Sequence, residues 1–228
     1  MNKGKLIVID GADGCGKATQ TSLLFKKLIS LGCDVEKTDF PRYYNNFFGK
    51  LIGEFQTSTK FEFSKIHPLL ASIPYAADRF ESKPQMEEWL NSGKIIISDR
   101  YVSANQLHQG GKIIDEEERK EFLQRLDHME HTIFGIPRPD LVILLDVPHS
   151  ISIELMKNKD AGKKKEYSNQ AIDRVEQDHQ YQLNARESGI KMLANDSWKR
   201  VSCTDDGKTL LTPETIHQKV MEHVLAIL

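Results

Sequence analysis

A glycine-rich turn caught between an unbroken aliphatic run and an amphipathic helix constrains this chain more than any other feature. Lys5 to Asp10 reads KLIVID, with no alternation of apolar and polar residues. A strand of that kind is buried on both faces, as in the middle of a parallel sheet. It runs at once into Gly11-Ala12-Asp13-Gly14-Cys15-Gly16. From Lys17 to Leu31 the apolar residues Leu23, Leu24, Leu28 and Leu31 recur at helical spacing, and Gly32 is placed to cap the end. Gly11-x-x-x-x-Gly16-Lys17 is the spacing of a phosphate-binding loop. Glycines let the backbone approach closely, main-chain N–H groups surround the anion, and the lysine reaches the outer phosphates at a helix N-terminus. Taken alone the motif also fits a tight glycine turn; the strand before it and the helix after it supply the context it requires.

Lys94 to Ser98 and Leu141 to Val147 repeat the buried-strand pattern, while Asp34 to Thr38 is a short strand candidate and Trp198 to Cys203 a weaker final one. Thr212, Pro213 and Glu214 open a terminal helix as N-cap and first-turn residues. Strands alternating with helices imply an α/β fold: a five-stranded, mostly parallel sheet with helices on both faces and ligands beyond the strand C-terminal ends. Charged or glycine-rich sequences follow Asp10, Thr38 and Ser98, where such a site belongs. The 228 residues show no internal repeat and no interdomain linker, so a single domain over 1–228 is expected. The polar stretch near 157–172, with Lys157, Lys159, Lys163, Lys164 and Lys165, reads as a flap rather than a boundary.

With 31 Lys plus Arg against 33 Asp plus Glu, the net charge of -2 argues against a protein that coats nucleic acid, and no nucleic-acid partner is expected. Local cation clusters can still bind phosphate. Three scattered cysteines, Cys15, Cys33 and Cys203, suit a reducing compartment better than a disulfide framework. Leu141 to Leu145 falls far short of the roughly 20 apolar residues that span a bilayer, so no membrane association and a cytoplasmic location are expected.

Two positions bear on metal binding. Ala18 stands where such loops carry the Ser or Thr that contacts Mg²⁺, and Thr19 lies about 100° further round the helix. Asp99, at the end of an aliphatic strand, is placed to contact Mg²⁺ directly or through water, or to cap the next helix.

Asp13 in the loop, Asp39-Phe40-Pro41-Arg42-Tyr43, Ala77-Asp78-Arg79-Phe80-Glu81, Asp99-Arg100-Tyr101 and Arg138-Pro139-Asp140-Leu141 occur in an order and spacing that resemble the thymidylate (dTMP) kinases. The resemblance covers nearly the whole chain. It implies a P-loop NTPase fold with a short lid, transfer of the γ-phosphate of ATP to dTMP on the route to dTTP, and a homodimer. On this resemblance Gly11, Ala12, Asp13, Gly14, Cys15, Gly16, Lys17, Ala18 and Thr19 hold ATP. Lys17, Arg42, Arg100 and Asp13 serve phosphoryl transfer, and Asp99 serves Mg²⁺. Arg42 and Arg100 look like the arginines that hold the acceptor phosphate, a task suited to their planar forks, although either could be a surface ion-pair partner. Asp13 resembles the carboxylate that meets the sugar 3′-hydroxyl region and orients Arg42.

The resemblance extends to the base and sugar. Arg79 matches a donor to a thymine carbonyl, and Tyr75, a helical turn earlier, an aromatic group that stacks on the ring. Phe40, Asn105 and Gln109 complete the acceptor site, Asn105 as an amide that both donates and accepts. His108 stands where the family commonly places Tyr or Phe against the sugar 2′ position. The Lys157 to Lys165 cluster, with Asp173-Arg174-Val175-Glu176 after it, resembles the family's lid, whose lysines would bring the extra cation; each of them equally fits a solvated loop. Other readings are a kinase of the same fold acting on another monophosphate or a deoxynucleoside, and an ATP-binding regulatory protein with little turnover. A GTPase lacks its Asn-Lys-x-Asp motif here.

Overall fold

The computed structural model describes residues 3–58, 60, 62–160 and 178–228. Strands β1 (Lys5–Asp10), β2 (Val35–Asp39), β3 (Ile95–Asp99), β4 (Leu141–Asp146) and β5 (Trp198–Ser202) form one sheet in the order β2-β3-β1-β4-β5. Every pairing is parallel. The expected strands are therefore present, with β2 and β3 each ending one residue later than read. A carboxylate does not stop a ladder whose bonds are main-chain, so Asp39 pairs with Asp99 and Asp99 with Ile9. The sheet thus carries both acids to its C-terminal edge, next to the glycine loop.

Helices α1 (Lys17–Ser30), α2 (Phe47–Thr57), α3 (Pro68–Asn91), α4 (Val102–His108), α5 (Glu116–Asp127), α6 (His149–Asp160), α7 (His179–Lys191) and α8 (Pro213–Leu225) surround it. The unalternating strands are explained by two cores. Ile7 and Ile9 of β1 pack with Leu24 and Leu28 of α1 and Val220 and Val224 of α8 on one face. Leu6 and Val8 pack with Met86 and Leu90 of α3 and Leu107 of α4 on the other. Both sets lie out of water, which stabilises the central strand from two sides.

Helix α3 runs through Pro74 and Pro84. Each proline removes a helical N–H donor, so packing on both sides must hold this helix together. A π-helical segment, His128–Ile133, follows α5. Beyond the main chain of 157–160, the stretch expected as a lid lies outside the described residues.

Candidate functional site

The loop between β1 and α1 is held by contacts only glycine permits. Gly11 and Gly14 have φ of 151° and 79°, and a Cβ on either would stand 2.6 Å from a carbonyl oxygen, of Leu145 and of Ser152 respectively. Lys17 bends back over the loop and donates from Nζ to the Gly11 and Ala12 carbonyls, both at 2.9 Å. Cys15 is buried in the loop wall, where burial pushes its thiol pKa up. Asp10, at the end of β1, is fully buried and accepts from Ser103 Oγ at 2.5 Å and from the Gly11 N–H at 2.8 Å. Ala18 faces the cleft beside the loop, whereas Thr19 is exposed and is not among the cleft-lining residues.

Asp13 is the hub of this region. Its carboxylate pairs closely with Arg100, lies 3.6 Å from Lys17 Nζ, and accepts from Gln182 Nε2 at 2.9 Å. Gln182 also accepts the Asp13 main-chain N–H, so one amide of α7 grips both ends of this loop residue. Burial would raise the Asp13 pKa, but Arg100 and Lys17 outweigh it and hold the carboxyl well below the usual range. The expected Asp13–Arg42 pairing is replaced by Asp13–Arg100, because Arg100 immediately follows β3, the strand beside β1. Arg100 adopts φ 65°, in the left-handed region that side chains avoid. Arg42 is tied through its main chain, whose N–H donates to Asp78 at 3.0 Å. Its buried Nε has no hydrogen-bond partner among the described residues.

A cleft of about 360 Å³ opens at this edge of the sheet. It brings Asp13, Gly14, Gly16, Lys17 and Ala18 together with Phe40, Tyr75, Arg79, Asp99, Arg100, Asn105, His108 and Gln109. Gly11, Ala12, Cys15, Thr19 and Arg42 do not line it. Phe40 is wedged against Tyr101, ring centroids 5.7 Å apart. The Tyr75 hydroxyl accepts from Gln56 at 3.1 Å, and Gln56 in turn accepts from Tyr43 at 2.9 Å. Burial raises the Asp99 pKa, with Lys17 and Arg100 pulling the other way. His108 stacks on Tyr181 at 5.6 Å and 14° between planes. Burial draws its pKa down to about 3, although Asp13 acts in the opposite sense.

Arg79 is buried and meets Glu130 through two bonds of 2.6 Å, while its Nη1 donates to the Tyr101 carbonyl at 3.1 Å. Glu130, Gln182, Tyr181 and Asp10 escape the sequence reading of the site. Asp10 alone has a signal there, as the polar end of a buried strand. Gln182 is 169 residues from Asp13, and Glu130 sits 51 residues from Arg79 in a segment without periodicity.

A phosphate loop on the central strand of a parallel sheet, sharing one cleft with an arginine-bearing pocket walled by aromatic rings, defines a P-loop phosphotransferase of the nucleoside monophosphate kinase class. The family model for thymidylate kinase matches residues 9–204. Among relatives, a probable thymidylate kinase of Pyrobaculum aerophilum is 31% identical over 162 residues, covering 71% of this chain and 74% of that protein. The thymidylate kinase of Pelotomaculum thermopropionicum is 29% identical over 205 residues, covering 89% and 86%. The solved thymidylate kinase of Candida albicans shares the fold with a TM-score of 0.69 at 24% identity, over 98% of this chain and 92% of that one. The chain belongs to the thymidylate kinase family.

Proposed function

We propose that this protein transfers the γ-phosphate of ATP to dTMP, giving ADP and dTDP. The observation that carries the reading is the single cleft in which the Lys17 loop faces a pocket bearing Arg100, Arg79 and Asn105. An oxygen of the dTMP phosphate forms the new bond to the γ-phosphorus as the bond to the β–γ bridging oxygen breaks, and the electron pair leaves on ADP. Little covalent chemistry is asked of the protein: it aligns the two oxygens and balances dispersed negative charge. Lys17 and the loop N–H groups hold the donor phosphates. Arg100, held by Asp13, and Arg42 hold the acceptor phosphate, Tyr75 stacks on the base, and Arg79 and Asn105 read its edge.

Mg²⁺ fits this donor set. The Asp99 carboxylate lines the cleft and accepts no hydrogen bond from any described residue, and Mg²⁺ commonly takes one or two carboxylates while keeping waters and phosphate oxygens. When bound, Mg²⁺ neutralises charge on the β- and γ-phosphate oxygens. With Ala18 in the loop, Asp99 is the residue we assign to it.

We place the enzyme in the cytoplasm, where its three unpaired cysteines stay reduced. No described helix is long and apolar enough to cross a membrane. A homodimer is supported by the apolar face of α3, on which Leu70, Ile73 and Phe80 are 60%, 42% and 49% exposed. The whole chain is read as one domain.

The test is ADP formation from Mg-ATP with dTMP, dUMP, dCMP, dGMP, UMP and thymidine beside an acceptor-free control. dTMP is the preferred acceptor, and Arg42→Ala lowers kcat/KM for it about a hundredfold, the scale of losing one positioned charge partner. Full activity in that variant removes Arg42 from the scheme, and acceptor-independent turnover alone removes the kinase reading.

A further inference from the structure

Arg79 and Asn105 reach the cleft from α3 and α4, and both are held from behind by a carboxylate that does not line it. Glu130 is 0% exposed and lies in the π-helical segment, a geometry that concentrates at functional sites. Its Oε2 accepts from Arg79 Nε at 2.6 Å. Its Oε1 accepts from Arg79 Nη2 at 2.6 Å and from Asn105 Nδ2 at 3.0 Å. The second Nδ2 hydrogen points to the Ser72 carbonyl at 3.3 Å.

We infer that Glu130 is a positioning residue that sets the hydrogen-bonding pattern of the base pocket and so selects a pyrimidine with an N3–H imide edge over one with a cytosine edge. This rests on the reading of the cleft as the dTMP site. Both neighbours of the Asn105 amide are oxygens that can only accept. Turning the amide over would set Oδ1 against two lone-pair donors, so the side chain is locked with both N–H groups inward and Oδ1 left to face a ligand. Arg79 spends Nε, one Nη2 hydrogen and one Nη1 hydrogen on Glu130 and Tyr101 and keeps its remaining N–H groups for a carbonyl oxygen. An acceptor beside a donor matches the N3–H and O4 of thymine. It opposes the bare N3 and the 4-amino group of cytosine, leaving polar groups unpaired in a buried site.

The decisive comparison is dTMP against 5-methyl-dCMP, which differs only at that edge. The wild-type enzyme prefers dTMP. Glu130→Gln, which keeps the shape but puts an amide where the carboxylate was, frees Asn105 to turn and reduces the dTMP to 5-methyl-dCMP ratio of kcat/KM by about tenfold or more, mainly through KM. A purely structural lesion lowers both substrates together and leaves the ratio intact. In an Asn105→Ala background, Glu130→Gln leaves the ratio where Asn105→Ala alone puts it. A folded Glu130→Gln enzyme with unchanged ATP affinity and a wild-type ratio overturns the inference. Wild-type enzyme that uses 5-methyl-dCMP as well as dTMP overturns it without any variant. A wild type that phosphorylates no pyrimidine monophosphate at all removes the dTMP reading and this inference with it.

Discussion

His108 is a histidine kept neutral, and that has a cost in acid. Burial draws its pKa from 6.5 in the unfolded chain to about 3 in the fold. Between those values the unfolded state binds the extra proton, so stability falls as pH drops through that window, by up to about 1.4 kcal/mol per pH unit from this group. The depressed carboxyl of Asp13 adds a loss of the same sign, starting lower, because its stabilisation is full only above the unfolded value of 3.8. His108→Phe therefore flattens the decline in stability between pH 6 and 4, as thermal melts across that range would show; an unchanged slope places the proton elsewhere. Asp13, Arg79 and Arg100 are legible in the sequence because charged residues inside short motifs at strand and helix ends stand out. Glu130 and Gln182 are not, since each matters only through a partner far away in the chain. Arg42 is half legible: its motif is plain, but its anchorage to Asp78 and the transfer of Asp13 to Arg100 depend on how strands sit side by side.

Helix α2 shows how a cap reaches into the site. Asn46 accepts the Gly49 N–H at 2.8 Å and donates to Asp78 at 2.7 Å. The next first-turn N–H groups, of Phe47 and Phe48, go to Glu81 of α3, each at 3.2 Å. Asp78 also takes the Arg42 N–H, so the start of α2, the middle of α3 and the Arg42 turn form one unit. Asn46→Ala costs about 1–2 kcal/mol from the lost cap. It also raises KM for dTMP more than KM for ATP, because the unit it loosens carries Arg42 and the stretch of α3 with Arg79, both proposed for the acceptor and neither for ATP. Chemical denaturation and steady-state kinetics check the two halves. The three central strands were readable from their aliphatic runs, the mixed edge strands β2 and β5 less plainly, and all five hold to within a residue. The unbroken course of α3 was not, because Pro74 and Pro84 argue locally against a helix and only the cores and Asp78 contacts on its flanks overrule them.

The exposed side of α3 bears on assembly. Leu70, Ile73 and Phe80 lie on the side of the helix away from the cleft that Tyr75 and Arg79 line. Ile73→Glu sets a charge among them and shifts the enzyme from dimer to monomer, read by sedimentation velocity; a wild type that sediments as a monomer removes the dimer altogether. The architecture as a whole was legible, since alternating strands and helices leave few topologies once one strand is buried on both faces. Helix α7 was not legible as part of the site, yet its neighbouring residues touch both the glycine loop and the cleft wall: Gln182 grips Asp13, and Tyr181 stacks on His108. On the proposed reading this helix backs both nucleotide sites, and linkage requires any coupling it carries between them to be reciprocal. Any factor that bound ATP applies to the dissociation constant of dTMP, dTMP applies to that of ATP, and titrating each nucleotide with and without a non-reacting analogue of the other reads that one factor twice.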